Sequence, residues 1–346
     1  MDRSLSAAFT AGILLLMAAC GKEPSQEQDT GLVEVTFSVF TDGEGTRTSA
    51  DHAPDEIKIK RWALLLYQDG KMVNCGTTEP GNTIKRNLQP GDYQAYAVVN
   101  YPDAGSGKFR PFSMLDLDLL AGQTTSLEDN AAFRFVMSGS KALTIAGHDG
   151  KQILPVERLV SKTGIRKISL SPDAPALARK SFILKAIYLT NCIRSAGYLS
   201  DTDYRDLATD PSQWIHPMGY SSDADTDGLL ADTGIDAEIR TGSPYTVSHY
   251  FYCYPNPIPA TADTRSAQWA PRCTRMVIEA QVGDRTCYYP ITLPSMKRNM
   301  TYIAEEVIIR SLGSADPEQE IPGSLEVVFS TENQEWAPLY TIDEVT

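Results

Sequence analysis

The sequence lacks the motifs by which most enzymes are recognised. It contains no H-E-x-x-H pair, and no glycine-rich phosphate loop follows a predicted strand. Two penicillin-binding signatures occur, SGSK at 138–141 and KTG at 162–164. Only about twenty residues separate them, too few for the helical domain that belongs between such motifs. The histidines are scattered at His52, His148, His216 and His249. We therefore predict that the chain is not an enzyme.

Acidic residues outnumber basic residues in the chain. The chain has 31 lysines and arginines against 44 aspartates and glutamates, which gives a formal net charge of −13. Nucleic-acid binding requires a basic face that displaces counterions from the phosphates. This composition therefore predicts no nucleic-acid partner.

Cysteine is sparse and forms no motif. Beyond Cys20, the cysteines are Cys75, Cys192, Cys253, Cys273 and Cys287. The absence of a CxxC pair argues against a structural zinc site. Because five is an odd number, at least one thiol is unpaired within the chain. The sequence leaves open whether the others are buried core residues or members of disulfides.

The only long apolar run lies at the start of the chain, where residues 4–20 read SLSAAFTAGILLLMAAC. One basic residue, Arg3, precedes this run, which is too short to span a bilayer as a stable helix. The layout is typical of a secretory signal, and small residues before a cysteine resemble the lipobox of bacterial lipoproteins. We expect residues 1–19 to be a signal peptide and Cys20 to carry acyl chains that anchor the protein to a membrane.

Short alternating apolar segments follow at regular intervals, while helical periodicity is scarce. This pattern predicts an all-β chain with many turns. The length after the leader exceeds one β-sandwich and suits two. A polar turn cluster, AGHDGKQ, lies near residue 150. We therefore expect an N-terminal sandwich over residues 20–150 and a C-terminal sandwich over 151–346, each with about seven strands.

The first and last predicted strands have similar faces. In the first, within residues 32–47, the residues Val33, Val35, Phe37 and Val39 alternate with polar residues. In the last, within residues 324–336, the residues Leu325, Val327 and Phe329 do the same. If the first strand were removed, its open groove would be a template for a strand from another molecule. The last strand is a suitable donor, and the proline-containing acidic segment before it, GSADPEQEIPG, suggests a stiff, extended arm.

One acidic loop, SSDADTDGLLAD, is the candidate metal site. Asp223, Asp225 and Asp227 match the opening of a calcium loop, in which alternate carboxylates converge on the ion. The twelfth position, normally a bidentate glutamate, is Gly234 here. The sequence therefore leaves calcium binding and a solvated acidic loop as alternatives, and predicts no other cofactor.

Several stretches, taken in order, resemble the fimbrillins, or type V pilins, of Bacteroidetes. They are the lipobox at Cys20, the early strand followed by Arg47, and the segments VERLVSK (156–162), YFYCYPNP (250–257), KRNMTYIAEEVII (297–309) and ADPEQEIPGSLEVVFSTENQEW (315–336). The resemblance implies two tandem transthyretin-like β-sandwich domains. It also implies transport to the outer membrane as a lipoprotein and a place in a surface fimbrium that supports adhesion.

The resemblance also implies a route of assembly. A trypsin-like protease would cut between Arg47 and Thr48, in the flexible segment after the first strand. The groove would then accept the C-terminal strand of a neighbouring subunit. The partners would be copies of the same chain or related pilins.

The sequence is also compatible with a second function. The chain would be a monomeric surface lipoprotein that binds glycan or protein ligands and keeps its first strand. Exposed aromatic residues between positions 204 and 220 would support this alternative if they formed a platform. They are Tyr204, Trp214 and Tyr220.

Overall fold

The computed structural model describes residues 31–41, 59–79, 81, 83–102, 109–148, 150–199, 209–261, 268–330 and 334–335. It confirms the all-β class, since strands dominate these residues and the two α-helices among them are single turns. These helices are α1, Leu117–Ala121, and α2, Asp227–Leu230. Short 3₁₀ turns lie at Pro111–Ser113, Leu127–Phe133 and Pro211–Gln213. None of the helices in this part of the chain has the length and apolar character needed to cross a membrane.

A seven-stranded sheet forms the first half of the fold. Its strands are β1 Val33–Thr41, β2 Trp62–Gln68, β3 Lys71–Thr78, β4 Thr83–Leu88, β5 Gly91–Val99, β7 Met137–Ile145 and β8 Gly150–Arg158. Their spatial order is β3-β2-β5-β7-β8-β1-β4. Alternate residues of these strands point to one side, so apolar side chains such as Trp62, Leu64 and Leu154 form a single enclosed core.

The two ends of this sheet meet. The guanidinium of Arg86, on β4, donates a hydrogen bond through Nε to the carbonyl oxygen of Cys75 on β3, at 3.2 Å. The arginine passes over Gly76, where a Cβ atom would lie 2.0 Å from Nη2. A larger residue at position 76 would therefore displace the Arg86 guanidinium from this contact.

The second half contains two further sheets. A six-stranded sheet holds β9 Ser161–Ile165, β10 Ile168–Leu170, β16 His249–Cys253, β19 Met300–Ile309, β20 Leu325–Phe329 and β21 Gln334–Glu335. A four-stranded sheet, in the order β15-β11-β17-β18, holds β11 Phe182–Thr190, β15 Ala231–Glu238, β17 Arg275–Val282 and β18 Arg285–Thr292. Apolar residues of both sheets, among them Phe251, Ile278 and Val307, belong to one core.

Two small strand pairs complete the architecture. β12, Cys192–Ile193, pairs with β14, Trp214–Ile215. β6, Thr124–Ser126, pairs with β13, Ser195–Gly197, and so joins the two halves of the chain. The rings of Phe135 and Tyr252 also meet across this junction, with centroids 4.8 Å apart.

The first sheet extends further along the chain than the sequence predicts. The boundary expected near residue 150 falls at the start of β8, which pairs with β1 and β7 in the first sheet. The polar cluster that suggested the boundary lies between two strands of one sheet and is not an interdomain linker. The second set of sheets begins at β9, after Leu159 and Val160, which are buried in the larger core.

Candidate functional site

The first strand lies inside the sheet and not at its margin. β1 pairs in parallel with β8 and antiparallel with β4. Val33, Val35, Phe37 and Val39 point into the core, and each is at most 6% exposed. The alternation read from the sequence therefore corresponds to burial at each of these four positions.

This burial makes β1 a major stabilising element. Burial of one such side chain contributes about 1.5–3 kcal/mol, so the four together contribute about 6–12 kcal/mol. Its loss would also leave two strands, β4 and β8, with unpaired backbone groups. Cleavage of the chain after β1 would thus not by itself release the strand, because its contacts do not depend on the peptide bond that is cut.

The last long strand has a different environment. β20 pairs antiparallel with β19, and in the described part of the chain no strand lies on its other side. Leu325 and Val327 are half-buried against the core. Val328 is 45% exposed and Phe329 is 36% exposed. Phe329 lines an open cavity of about 360 Å³. The face predicted from the sequence is therefore only partly covered.

The two strands match position by position. Residues 33–38 read VEVTFS and residues 325–330 read LEVVFS. Each places a glutamate after its first apolar residue and a serine after its phenylalanine. Glu34 on β1 forms an exposed ion pair with Lys85 of β4, at 3.0 Å between Nζ and Oε1. Glu326 on β20 pairs with Arg310 at 2.7 Å.

The segment before β20 is fixed to the body of the protein and is not an extended arm. Ser314 forms an isolated bridge with Tyr288 of β18. Glu318 is 3% exposed and lies 3.6 Å from a terminal nitrogen of Arg272 and 3.6 Å from one of Arg275. Asn191 donates to both of its carboxylate oxygens. Sequence reasoning missed this buried site, because its members are far apart in the chain.

The residues expected to be lipidated and cleaved lie outside the described residues. Cys20 precedes residue 31, where the description begins. Arg47 and Thr48 fall between the end of β1 at Thr41 and the next described residue, Ile59. Lipidation and cleavage therefore stay predictions.

The acidic loop is organised by protein hydrogen bonds. Asp227 accepts hydrogen bonds from the hydroxyls of Tyr220 and Ser222 and from the backbone NH of Asp223. The carboxylate of Asp223 accepts from Arg194 and from the backbone NH of Asp225. Among the described residues, no group of three or more histidine, cysteine, aspartate or glutamate side chains is arranged to hold a metal ion. Calcium binding stays a prediction, and it would require these hydrogen bonds to be exchanged for the ion.

The aromatic residues considered for ligand binding do not form a described platform. Trp214 is buried and packs edge-on against Trp269, with ring centroids 5.5 Å apart. Tyr220 contacts His216 and is held by Asp227. Tyr204 lies outside the described residues.

A hydrogen-bonded chain of three residues links the two C-terminal sheets. Nδ1 of His249, on β16, lies 2.7 Å from a carboxylate oxygen of Asp232 on β15. Nε2 of the same ring lies 2.8 Å from the hydroxyl of Tyr245. The strand position of His249 among aromatic residues predicts a satisfied structural histidine, and both ring nitrogens do have partners.

Comparison with known proteins gives structural neighbours. No protein-family profile matches the sequence, and neither does any curated protein. A candidate cell adhesion protein from Bacteroides eggerthii superposes with a TM-score of 0.61 at 15% identity, over 88% of this chain and 96% of that one. The fimbrilin FimA from Porphyromonas gingivalis superposes with a TM-score of 0.58 at 14% identity, over 86% and 96%.

The tip fimbrial protein Mfa3 from Porphyromonas gingivalis, with a C-terminal truncation, is a further neighbour. Its TM-score is 0.51 at 15% identity, over 86% of this chain and 98% of that one. At these identities the similarity establishes a shared fold. The resemblance to Bacteroidetes fimbrillins is thus confirmed for the fold.

Proposed function

We propose that this chain is a structural, non-enzymatic subunit of a surface fimbrium that supports adhesion. The observation that carries the proposal is the contrast between its two matching strands. β1 fills an interior position with a fully buried face, whereas β20 has the same residue pattern at an open edge. The fold shared with a fimbrilin and a tip fimbrial protein supports the same conclusion.

In this proposal the precursor travels to the outer membrane anchored through acylated Cys20. A trypsin-like protease cuts after Arg47, and the strand from a second copy or a related pilin then replaces β1. The incoming strand must supply what β1 supplies, because β1 contributes about 6–12 kcal/mol of apolar burial. The LEVVFS segment meets this requirement with Leu325, Val327 and Phe329 in the places of Val33, Val35 and Phe37.

From the position-by-position match we also infer the direction and the register of the donor strand in the groove. The donor strand would run in the same direction as β1, parallel to β8. Glu326 of the donor would then replace Glu34 beside Lys85 of the acceptor. The buried Glu318 would keep the segment before the donor strand attached to the donor's own body.

The alternative of a monomeric ligand-binding lipoprotein has less support. A glycan platform needs exposed aromatic faces, and Trp214 is buried. Tyr220 is committed to contacts with His216 and Asp227. The described residues thus do not favour this function over fimbrial assembly.

Determination of the N-terminal residue of surface-assembled protein tests the proposal. We expect Thr48 at the N terminus of subunits in detergent-resistant polymers and acylated Cys20 in the unassembled precursor. Arg47→Ala should block assembly, whereas Arg47→Lys, which retains a basic cleavage site, should permit it. Polymers whose subunits retain residues 33–41 would contradict the proposal.

A further inference from the structure

Three large apolar side chains are exposed in the segment that contains the 3₁₀ turn after β5 and helix α1. Phe112 is 63% exposed, Leu115 is 58% exposed and Leu119 is 47% exposed. Other apolar residues of the same segment, Met114 and Leu120, are buried. Clusters of exposed apolar side chains on a soluble protein mark contact surfaces. We refer to Phe112, Leu115 and Leu119 as the apolar surface.

Backbone hydrogen bonds hold this surface beside the turn that joins β2 to β3. The NH of Met72 donates to the carbonyl oxygen of Leu115 at 2.8 Å, and the NH of Leu117 donates to the carbonyl oxygen of Gly70 at 2.9 Å. The apolar surface is therefore fixed at the end of the sheet where β3 begins.

β1 begins at the same end of the sheet. Neighbours in the order β3-β2-β5-β7-β8-β1-β4 are antiparallel except β8 and β1, which are parallel. β1 and β3 therefore run in the same direction. β4 lies between them, since it pairs with β1 and meets β3 through Arg86 and Cys75. Because neighbouring strands lie about 5 Å apart, the start of β1 is on the order of 10 Å from the start of β3.

In the register of the proposed function, the donor strand enters the groove at this end. Gly31 and Gly323 each precede the first apolar residue of their strand by two positions, so the match between the strands extends to both glycines. Both have a left-handed backbone, with φ of 61° and 75°. Gly323 of the donor would thus take the place of Gly31, with the rest of the donor outside the groove.

The connection between the donor strand and its own body is short. Glu318 is fixed in that body by Asn191 and Arg272. The chain from Glu318 to Leu325 covers seven residue steps, which span at most about 25 Å when fully extended. The body of the donor must therefore lie close to the start of β1, and so close to the apolar surface.

The charges of the two subunits are complementary once the strand has moved. Arg310 pairs with Glu326 in the unassembled subunit, and its backbone NH donates to Ser324, directly before β20. In the proposed register, Glu326 leaves Arg310 and comes to lie beside Lys85 of the acceptor. Arg310 then stays on the donor, at the point where the strand departs. Asp118, exposed within the segment of the apolar surface, offers it a carboxylate.

We propose that the apolar surface is where the body of the donor, a second copy of this chain, packs on the acceptor when its strand is inserted. The inference rests on the proposed function and adds a contact outside the groove. On the donor, the facing region is the end of the six-stranded sheet where β19 ends and β20 begins, with Arg310 opposite Asp118. Ile321, 36% exposed, provides an apolar side chain in the connecting residues.

Substitution of the two leucines tests the proposal on the full chain. Because Leu115 and Leu119 are exposed, Leu115→Gln combined with Leu119→Gln should leave the midpoint of thermal unfolding of the uncut chain unchanged. After limited trypsin treatment, the yield of detergent-resistant polymer at limiting subunit concentration should fall about tenfold, because the amides lose the apolar contact. Ile153→Gln is the matched control. Ile153 is 44% exposed and lies opposite Ser38, five residues along β1 from Val33, so the yield should stay at the wild-type level.

The outcomes separate this inference from the proposed function. If the wild type and Ile153→Gln polymerise and the leucine double variant matches them, the contact is overturned while strand exchange stands. If none of these chains polymerises, the proposed function is rejected and the contact with it.

A lipid surface is the alternative occupant, although the carboxylates of Asp116 and Asp118 oppose contact with anionic lipids. Flotation of the Cys20→Ala chain with vesicles of phosphatidylethanolamine and phosphatidylglycerol tests it. We expect no flotation. Flotation that the two leucine substitutions abolish, together with an unchanged polymer yield, would assign the surface to the membrane and overturn the proposal.

Discussion

The side-chain amide of Asn191 donates hydrogen bonds to both carboxylate oxygens of Glu318, at 2.9 and 3.1 Å. Thr190 adds a third hydrogen bond at 3.1 Å. Asn191 follows β11, while Glu318 lies in the segment before β20. The contact therefore attaches the segment that precedes β20 to the four-stranded sheet.

The first prediction concerns this buried carboxylate. Glu318→Ala should lower the free energy of unfolding by about 3–5 kcal/mol, because the charges of Arg272 and Arg275 would lose their partner in a buried site. Denaturant-induced unfolding measures the difference. Glu320→Ala is the matched control. Glu320 is exposed and accepts a hydrogen bond from the backbone NH of Thr292, so its loss should cost about 1 kcal/mol or less. Equal effects of the two substitutions would contradict the assigned role.

The second prediction concerns pH. Burial lowers the pKa of His216 below its usual value, although Asp227 acts in the opposite direction. The unfolded chain therefore binds a proton at a higher pH than the folded protein does. As the pH falls below about 6.5, the free energy of unfolding should decrease by up to about 1.4 kcal/mol per unit, until the folded protein is protonated as well.

Variants isolate this contribution. His216→Asn keeps a side-chain donor for the carbonyl oxygen of Leu189 and tolerates the positive φ of 53°. It should flatten the pH dependence between pH 7 and 5 in unfolding measurements. His148→Asn changes an exposed histidine and should leave the slope intact. A wild-type slope in His216→Asn would reject the explanation.

The sequence reveals the face of β1 because that information is local. Strand residues alternate between the two sides of a sheet, so Val35 and Phe37 can be assigned to the core from their spacing alone. The all-β class depends on similar short-range patterns. The acidic loop was recognised in the same way, from the spacing of Asp223 and Asp227.

Other features depend on contacts between distant residues. From the sequence, a glutamate in a segment rich in proline and acidic residues is expected to be exposed to solvent. Glu318 is buried instead, because it lies against Asn191 and Arg272, which come from other parts of the chain. The boundary expected near residue 150 was misplaced, because a polar turn within one sheet and a linker between two domains have the same composition.

The third prediction concerns membrane attachment. Cys20→Ala should move the chain from the membrane pellet to the soluble fraction, because acyl chains on that thiol supply the anchor. Cell fractionation and immunoblotting measure the distribution. Cys75→Ala is the control and should remain in the pellet. Equal recovery of Cys20→Ala and wild type in the membrane pellet would rule out the lipoprotein hypothesis.

The fourth prediction tests the register of exchange through one exposed ion pair. Lys85→Glu should reduce assembly about two- to fivefold, since Glu326 of the incoming strand would meet a like charge. Adding Glu326→Lys to the same chain should restore the yield across the interface. Detergent-resistant ladders after protease treatment measure the yield.

Lys185 provides the control for this exchange. It forms an ion pair with Asp236 on the four-stranded sheet, away from β1 and β4. Glu326→Lys combined with Lys185→Glu should therefore not reach the assembly yield of the Lys85→Glu, Glu326→Lys double variant. If Glu326→Lys fails to compensate Lys85→Glu, the donor strand has another direction or register.

The fifth prediction separates assembly from folding. Val327 is half-buried on an edge strand, so Val327→Asp should cost the uncut monomer only about 1 kcal/mol. In the groove left by β1, the same carboxylate would take the place of Val35, which is 1% exposed. A buried carboxylate without a partner costs several kcal/mol, so polymer formation should fail.

Val328→Asp is the matched control for this substitution. It introduces the same group one residue later, on the opposite face of β20, where Val328 is already 45% exposed. Successive strand residues point to opposite sides, so this aspartate would face solvent both in the monomer and in the groove. Thermal unfolding of the uncut monomers should be similar for the two variants, and only Val328→Asp should form ladders. If Val327→Asp assembles as well as Val328→Asp, β20 is not the donor strand; if it unfolds the monomer, β20 is a core element of its own subunit.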